Sequence, residues 1–91
     1  VVGTARGWTS GSSAYLDDLV VATAHRHEGI GSHLVAAFVS AAAKRGCRLA
    51  RTRTEAGGFV EGFWHRVGWF EEARLEADGL EPITLQLRRN L

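Results

Sequence analysis

At Gly29 the apolar pattern of this chain changes period, and no other feature limits its possible folds so strongly. Downstream, Ile30, Leu34, Ala37, Phe38 and Ala41 recur at helical spacing on one face, with Ser32, His33 and Ser40 off it. Lys44 and Arg45 suit the negative end of that helix, and Gly46 suits the left-handed residue that stops it. Upstream, Val1 to Trp8 and the segment "AYLDDLVVA" read as strands joined by the turn cluster "TSGSS". After the helix, "CRLARTRT" from Cys47 to Thr54 reads as a third strand and Glu55 to Gly58 as a loop. Phe59, Val60, Phe63, Trp64 and Val67 then predict a short helix ending at Gly68. Two further strands, Trp69 to Leu75 and Pro82 to Arg88, flank a hairpin turn at Ala77, Asp78 and Gly79.

This order is strand, strand, helix, strand, helix, strand, strand. It implies an α/β fold with a mixed, mostly antiparallel sheet and helices on its faces, since strand-helix-strand units make parallel pairs and turn-linked strands antiparallel ones. With 91 residues there is material for one core, so residues 1–91 form a single domain. One irregularity stands out in the second strand. Leu19 and Val21 share a face, but Leu16 lies an odd number of positions away and would point to the other. One extra residue repairs this, so a β-bulge is expected near Asp17 and Asp18, a device that interrupts pairing and re-aims side chains beside active sites.

Charge and cysteine content exclude several classes of function. The formal net charge of +1 gives no global field for nucleic acid or an anionic membrane, so any anion site must be local. The mostly apolar run from Leu34 to Ala43 is too short for a membrane span, and the start of the chain lacks the layout of a signal peptide. Cys47 is the only cysteine, which leaves no intramolecular disulfide and no cysteine zinc cage. A cytoplasmic protein is expected.

The segment "RHEGIGSHL" from Arg26 lies between a strand end and the first turn of a helix. Backbone N–H groups there lack helical partners, and the helix dipole adds about half a positive charge. Glycines at 29 and 31 let a bulky anion approach the backbone, and Arg26 adds a charge-assisted contact, so phosphate or diphosphate is the natural ligand. Leu34 stands where a dinucleotide fingerprint needs its third glycine, and Ser32 and His33 break the nucleoside-triphosphate loop pattern. From spacing alone, the two glycines could equally serve close strand-helix packing.

The stretch "LDDLVVATAHRHEGIG" resembles the GNAT-type N-acetyltransferases, whose signature is arginine or glutamine, two residues, glycine, one residue, then glycine or alanine. Arg26, Gly29 and Gly31 match it, and "GFWHRVGW" is similar to that family's aromatic-rich helix ending in glycine and an aromatic. The resemblance implies an acyl-CoA N-acyltransferase-like fold that is short at the N-terminus. It further implies acetyl-CoA as co-substrate, a primary amine as acceptor and direct attack in a ternary complex. Arg26, His27, Glu28, Gly29, Ile30, Gly31 and Ser32 would then cradle the pyrophosphate, while Leu19, Val20 and Val21 pair with the pantetheine arm. An N–H near Leu19 or Val20 would stabilise the oxyanion, a contribution of about 3 kcal/mol. Trp64 would meet the coenzyme where relatives often carry a tyrosine acid, and indole cannot supply that proton.

The match departs from the family at the front, where an initial strand, two helices and a strand have no counterpart. A missing N-terminal segment or a homodimer would complete the site. Asp17, Asp18 and Tyr15 are candidate general bases near the bulge, and His65 is the candidate acid. His25 and His27 lie two apart, but no cysteine or placed carboxylate pair completes a metal site, and none is expected. Arg48, Arg51 and Arg53 cluster on one strand that would suit the 3′-phosphate of CoA or an acidic acceptor, although an exposed arginine strand is the commoner arrangement. The alternative function is an acyl-CoA-binding or assembly module with little or no catalysis.

Overall fold

Residues 3–22, 29–75 and 83–91 are described by the computed structural model. The expected starts at Val1 and Pro82 and the turn from Ala77 to Gly79 lie outside them. The elements are β1 (Gly3–Ser10), β2 (Ser13–Val21), α1 (Ile30–Lys44), β3 (Leu49–Glu55), α2 (Gly58–Arg66), β4 (Phe70–Leu75) and β5 (Thr84–Asn90). Their order is the expected one. They build a five-stranded sheet in the order β1-β2-β3-β5-β4, with β2 and β3 parallel and the other neighbours antiparallel. The β2-α1-β3 unit makes the parallel pair, whereas the connection through α2 passes over β5 and leaves β4 at the edge.

Strand alternation sorts the side chains onto two unlike faces. Ala14 and Leu16 of β2, Ala50 and Thr52 of β3, and Leu85 and Leu87 of β5 are buried at every second position. They pack with Val35 and Ala42 of α1, Trp64 of α2, and Trp69 in one core, so both helices lie on the same face. Each large apolar side chain buried there contributes about 1.5–3 kcal/mol.

Helix α1 presents a different side to the core from the one its spacing suggests. Val35 and Ala42 are buried and Phe38 and Val39 pack against the core, while Ala37 and Ala41 are exposed. Apolar residues ring most of this helix, so its polar boundary defines the rotation poorly. The sheet settles it through Gly7, where an added Cβ would come within 2.7 Å of the Phe38 ring and would overlap the Tyr15 carbonyl oxygen. Glycine is needed there because helix and neighbouring strand both approach the β1 backbone.

The opposite face is polar. Arg51 donates to Glu72 through Nε at 2.8 Å and Nη2 at 3.0 Å, and Gln86 Nε2 donates to Glu72 at 2.7 Å. Arg88 Nη1 lies 3.3 Å from the same carboxylate. Glu72 occupies a register shift in β4, so the extra residue points its carboxylate at two neighbouring strands. Hydrogen bonds from Arg51 and Gln86 hold the Glu72 carboxyl well below the usual carboxylate range, at about 2. Among the described residues, no helix is long and apolar enough to cross a membrane.

Candidate functional site

The site begins where two parallel strands part. The β2–β3 ladder covers only Ser13↔Leu49, Ala14↔Ala50 and Tyr15↔Arg51. At the next position the Thr52 hydroxyl donates to the Leu16 carbonyl at 2.9 Å, so a buried side chain takes the place of a ladder bond. On the other side of β2, Arg6 pairs with Asp18 and Gly7 with Leu16, which leaves Asp17 as the extra residue of a bulge. The expected bulge is therefore present, and it returns Leu16 and Leu19 to the core face.

The bulge also decides which backbone groups face the gap. A Cβ on Gly3 would lie 2.9 Å from the Val20 carbonyl oxygen, so Val20 turns its backbone toward β1. Successive residues of a strand point their N–H and C=O to opposite edges, and Leu19 therefore turns its pair away from β1, into the opening. That opening is a cleft of about 860 Å³ bounded by β2, the start of α1, β3 and α2.

Beside Leu19 the cleft meets the bare start of α1. Gly29 caps this helix in the left-handed region at φ 79°, and a Cβ there would meet nothing within 4 Å. Its glycine serves backbone conformation rather than packing. The His33 N–H makes the bond back to the Gly29 carbonyl at 3.1 Å, so the N–H groups of Ile30, Gly31 and Ser32 precede the first full helical turn. Among the described residues no side chain caps them, and the first turn holds no acidic residue. At Gly31 a Cβ would stand 3.4 Å from the Phe63 ring and 3.9 Å from Val21 Cγ2, both tolerable contacts. Packing alone does not demand glycine at either position, whereas a bulky anion at this backbone would.

The structure brings Asp17, Asp18, Leu19, Val20, Val21, Gly29, Ile30, Gly31, Ser32 and Trp64 to this one cleft. Arg26, His27 and Glu28, together with His25, lie outside the described residues. Asp17 is exposed on the bulge, while Asp18 pairs with Arg6 at 3.1 Å. Tyr15 does not line the cleft; it stacks on Trp8 with ring centroids 4.2 Å apart. His65 also lies outside the lining, its Nδ1 3.2 Å from the Trp69 carbonyl and its Nε2 3.7 Å from Glu61. Trp64 is buried, edge-on to Phe63 and Trp69. The basic strand divides: Arg51 is engaged by Glu72, Arg53 lines the cleft, and Arg48 is exposed elsewhere. No group of three His, Cys, Asp or Glu side chains among the described residues could hold a metal.

Among the cleft residues that escaped the sequence reading, Thr52, Phe59 and Arg66 carry the most chemistry. Thr52 hides between two arginines in a strand that reads as a solvated face. Phe59 reads as apolar periodicity yet is exposed, and Arg66 lies over its ring, 5.3 Å from the centroid. The signal for Arg66 is its helical spacing from Phe59 and Phe63, seven and three positions earlier.

Comparison with known proteins gives the geometry its family. The acetyltransferase (GNAT) family profile matches residues 1–69. Among solved structures, a protein assigned as an acetyltransferase from Agrobacterium tumefaciens superimposes with a TM-score of 0.89 at 26% identity over 100% of this chain and 66% of its own. An acetyltransferase from Bacillus cereus gives 0.87 at 24% identity, over 99% of this chain and 64% of its own. A Bacillus subtilis acetyltransferase in complex with CoA gives 0.86 at 16% identity, over 100% of this chain and 70% of its own. This chain thus spans about two thirds of the length of these structures. Comparison with curated protein sequences yields no significant match. The diverging strands, the bare helix start and the family match agree, and the chain belongs to the GNAT acetyltransferase family.

Proposed function

We propose that this chain forms the coenzyme-binding part of an N-acetyltransferase that moves an acetyl group from acetyl-CoA to a primary amine by direct attack. The observation that carries the reading is the junction of two donor sets in one cleft: the Leu19 edge of bulged β2 and the bare start of α1. Ile30, Gly31 and Ser32 offer N–H groups and the positive helix end to a pyrophosphate. Leu19 offers its C=O to an amide N–H of the arm in the manner of a neighbouring strand, and its N–H to the thioester carbonyl. When bound, acetyl-CoA supplies an activated thioester.

The same Leu19 N–H is the donor for the oxyanion that forms as the amine attacks. Asp17, exposed on the bulge, is the proposed base that accepts the proton of the incoming ammonium, directly or through one water. Asp18 is the weaker choice because Arg6 already engages its carboxylate. Tyr15 and His65 have no part in this reading, since neither lines the cleft. A second reading, binding without efficient turnover, draws support from buried Trp64, which offers no hydroxyl acid. The leaving thiolate then has no side-chain acid from that position, and the roughly 10²-fold help such groups give is lost.

Isothermal titration of acetyl-CoA into the chain tests the reading, with Gly29→Glu as the control that places charge, bulk and left-handed strain at the cradle. Saturable binding lost in the variant is expected. Absence of binding by the folded wild-type chain would refute it. Release of free thiol from acetyl-CoA with a panel of primary amines then separates transfer from binding alone.

A further inference from the structure

Arg66 is a cation in the cleft with no ion-pair partner among the described residues. Every other arginine near the site is committed or faces elsewhere. Arg51 is bound by Glu72 and Arg6 by Asp18, while Arg53 reaches the cleft from β3, where alternation with buried Thr52 turns its side chain toward the sheet face opposite α1 and α2. Arg66 instead belongs to the helix side, where the start of α1 lies. Phe63 is its link to that start: its ring would stand 3.4 Å from a Cβ on Gly31. Phe59, Phe63 and Arg66 follow one another at helical spacing, so they form a single stripe of α2 beside the bare N–H groups. Phe59 is 63% exposed, and the Arg66 guanidinium rests 5.3 Å from its ring centroid. An aromatic under a guanidinium limits the side chain's freedom and leaves its N–H fork directed outward.

We infer that Arg66, supported by Phe59, binds the 3′-phosphate of the coenzyme's adenosine. The inference rests on the proposed placement of the pyrophosphate at Gly29–Ser32. With that group on the helix start and the pantetheine arm on the Leu19 edge, the adenosine end leaves on the remaining side, along the α2 stripe. A ribose phosphate there is a doubly charged group facing a planar cation, the pairing for which arginine is suited. The stripe makes the site selective for coenzyme A over the form lacking this phosphate.

Calorimetric titration of the wild-type chain, Arg66→Gln and Phe59→Leu with coenzyme A and with 3′-dephospho-coenzyme A tests this. The wild type should bind coenzyme A at least about tenfold more tightly than the dephospho form. Arg66→Gln should abolish that preference by weakening coenzyme A alone, and Phe59→Leu should reduce it. Both side chains are exposed, so the variants should fold, and circular dichroism is the check on each. Equal binding of the two ligands by the wild type, or an intact preference in Arg66→Gln, overturns the inference while leaving the coenzyme cleft standing. Failure of the folded wild type to bind either ligand overturns both.

Discussion

Asp17 and Asp18 are neighbours of one chemical type, and the bulge gives them different positions. Asp18 sits opposite Arg6 and is engaged by it, whereas Asp17 is the inserted residue at the cleft. If the proposed base is Asp17, Asp17→Asn should lower kcat about 10²-fold and Asp18→Asn only a few-fold, measured by thiol release with a saturating amine. Equal, small losses in both would remove Asp17 from this role. The aspartate pair was legible as a candidate base because the odd spacing from Leu16 to Leu19 demands a bulge. Which aspartate stands free was not legible, because Arg6 is the partner of Asp18 only through a cross-strand register.

Two elements set the shape of the cleft, the fork between β2 and β3 and the start of α1. At the fork, Thr52→Val keeps the shape but leaves the buried Leu16 carbonyl without its donor. A loss of about 1–3 kcal/mol in denaturant unfolding is expected, with an unchanged m-value. At the helix, Gly31→Ala meets no forbidden contact within the chain and gains helix propensity, so the fold should be stabilised by up to about 1 kcal/mol. The same methyl covers the proposed cradle, so acetyl-CoA affinity measured by titration should fall as stability rises. Parallel loss of both would point to a packing role instead. The existence of α1 and its glycine stop was legible, with Gly46 at a positive φ of 86°. Its rotation was not, because an almost wholly apolar helix takes its buried side from the sheet beneath it.

At the scale of the whole molecule, the sheet face opposite α1 and α2 carries a carboxylate, Glu72, that joins β3, β4 and β5. Glu72 ionises at about 2 in the folded chain against an ordinary value of 4.5, chiefly through its hydrogen bond from Arg51. A lowered folded value favours the native state wherever the carboxylate is charged, so this stabilisation is present above pH 4.5 and fades toward pH 2. Urea titrations at stepped pH should therefore show stability falling through that window. Glu72→Gln should flatten that fall and lower stability at neutral pH by on the order of 2 kcal/mol. The amino-acid sequence by itself determined the element order, the helix stops, the bulge and the glycine loop, because these depend on period, backbone preference and the alternation of one strand. Only the tertiary structure decided the parting of β2 from β3 at Thr52, the turn of Leu19 into the cleft, the gathering of both helices on one face, and the meeting of Gly31 with the Phe59–Arg66 stripe. Those are contacts between residues far apart along the chain, and local propensity carries no information about which distant backbone will stand opposite.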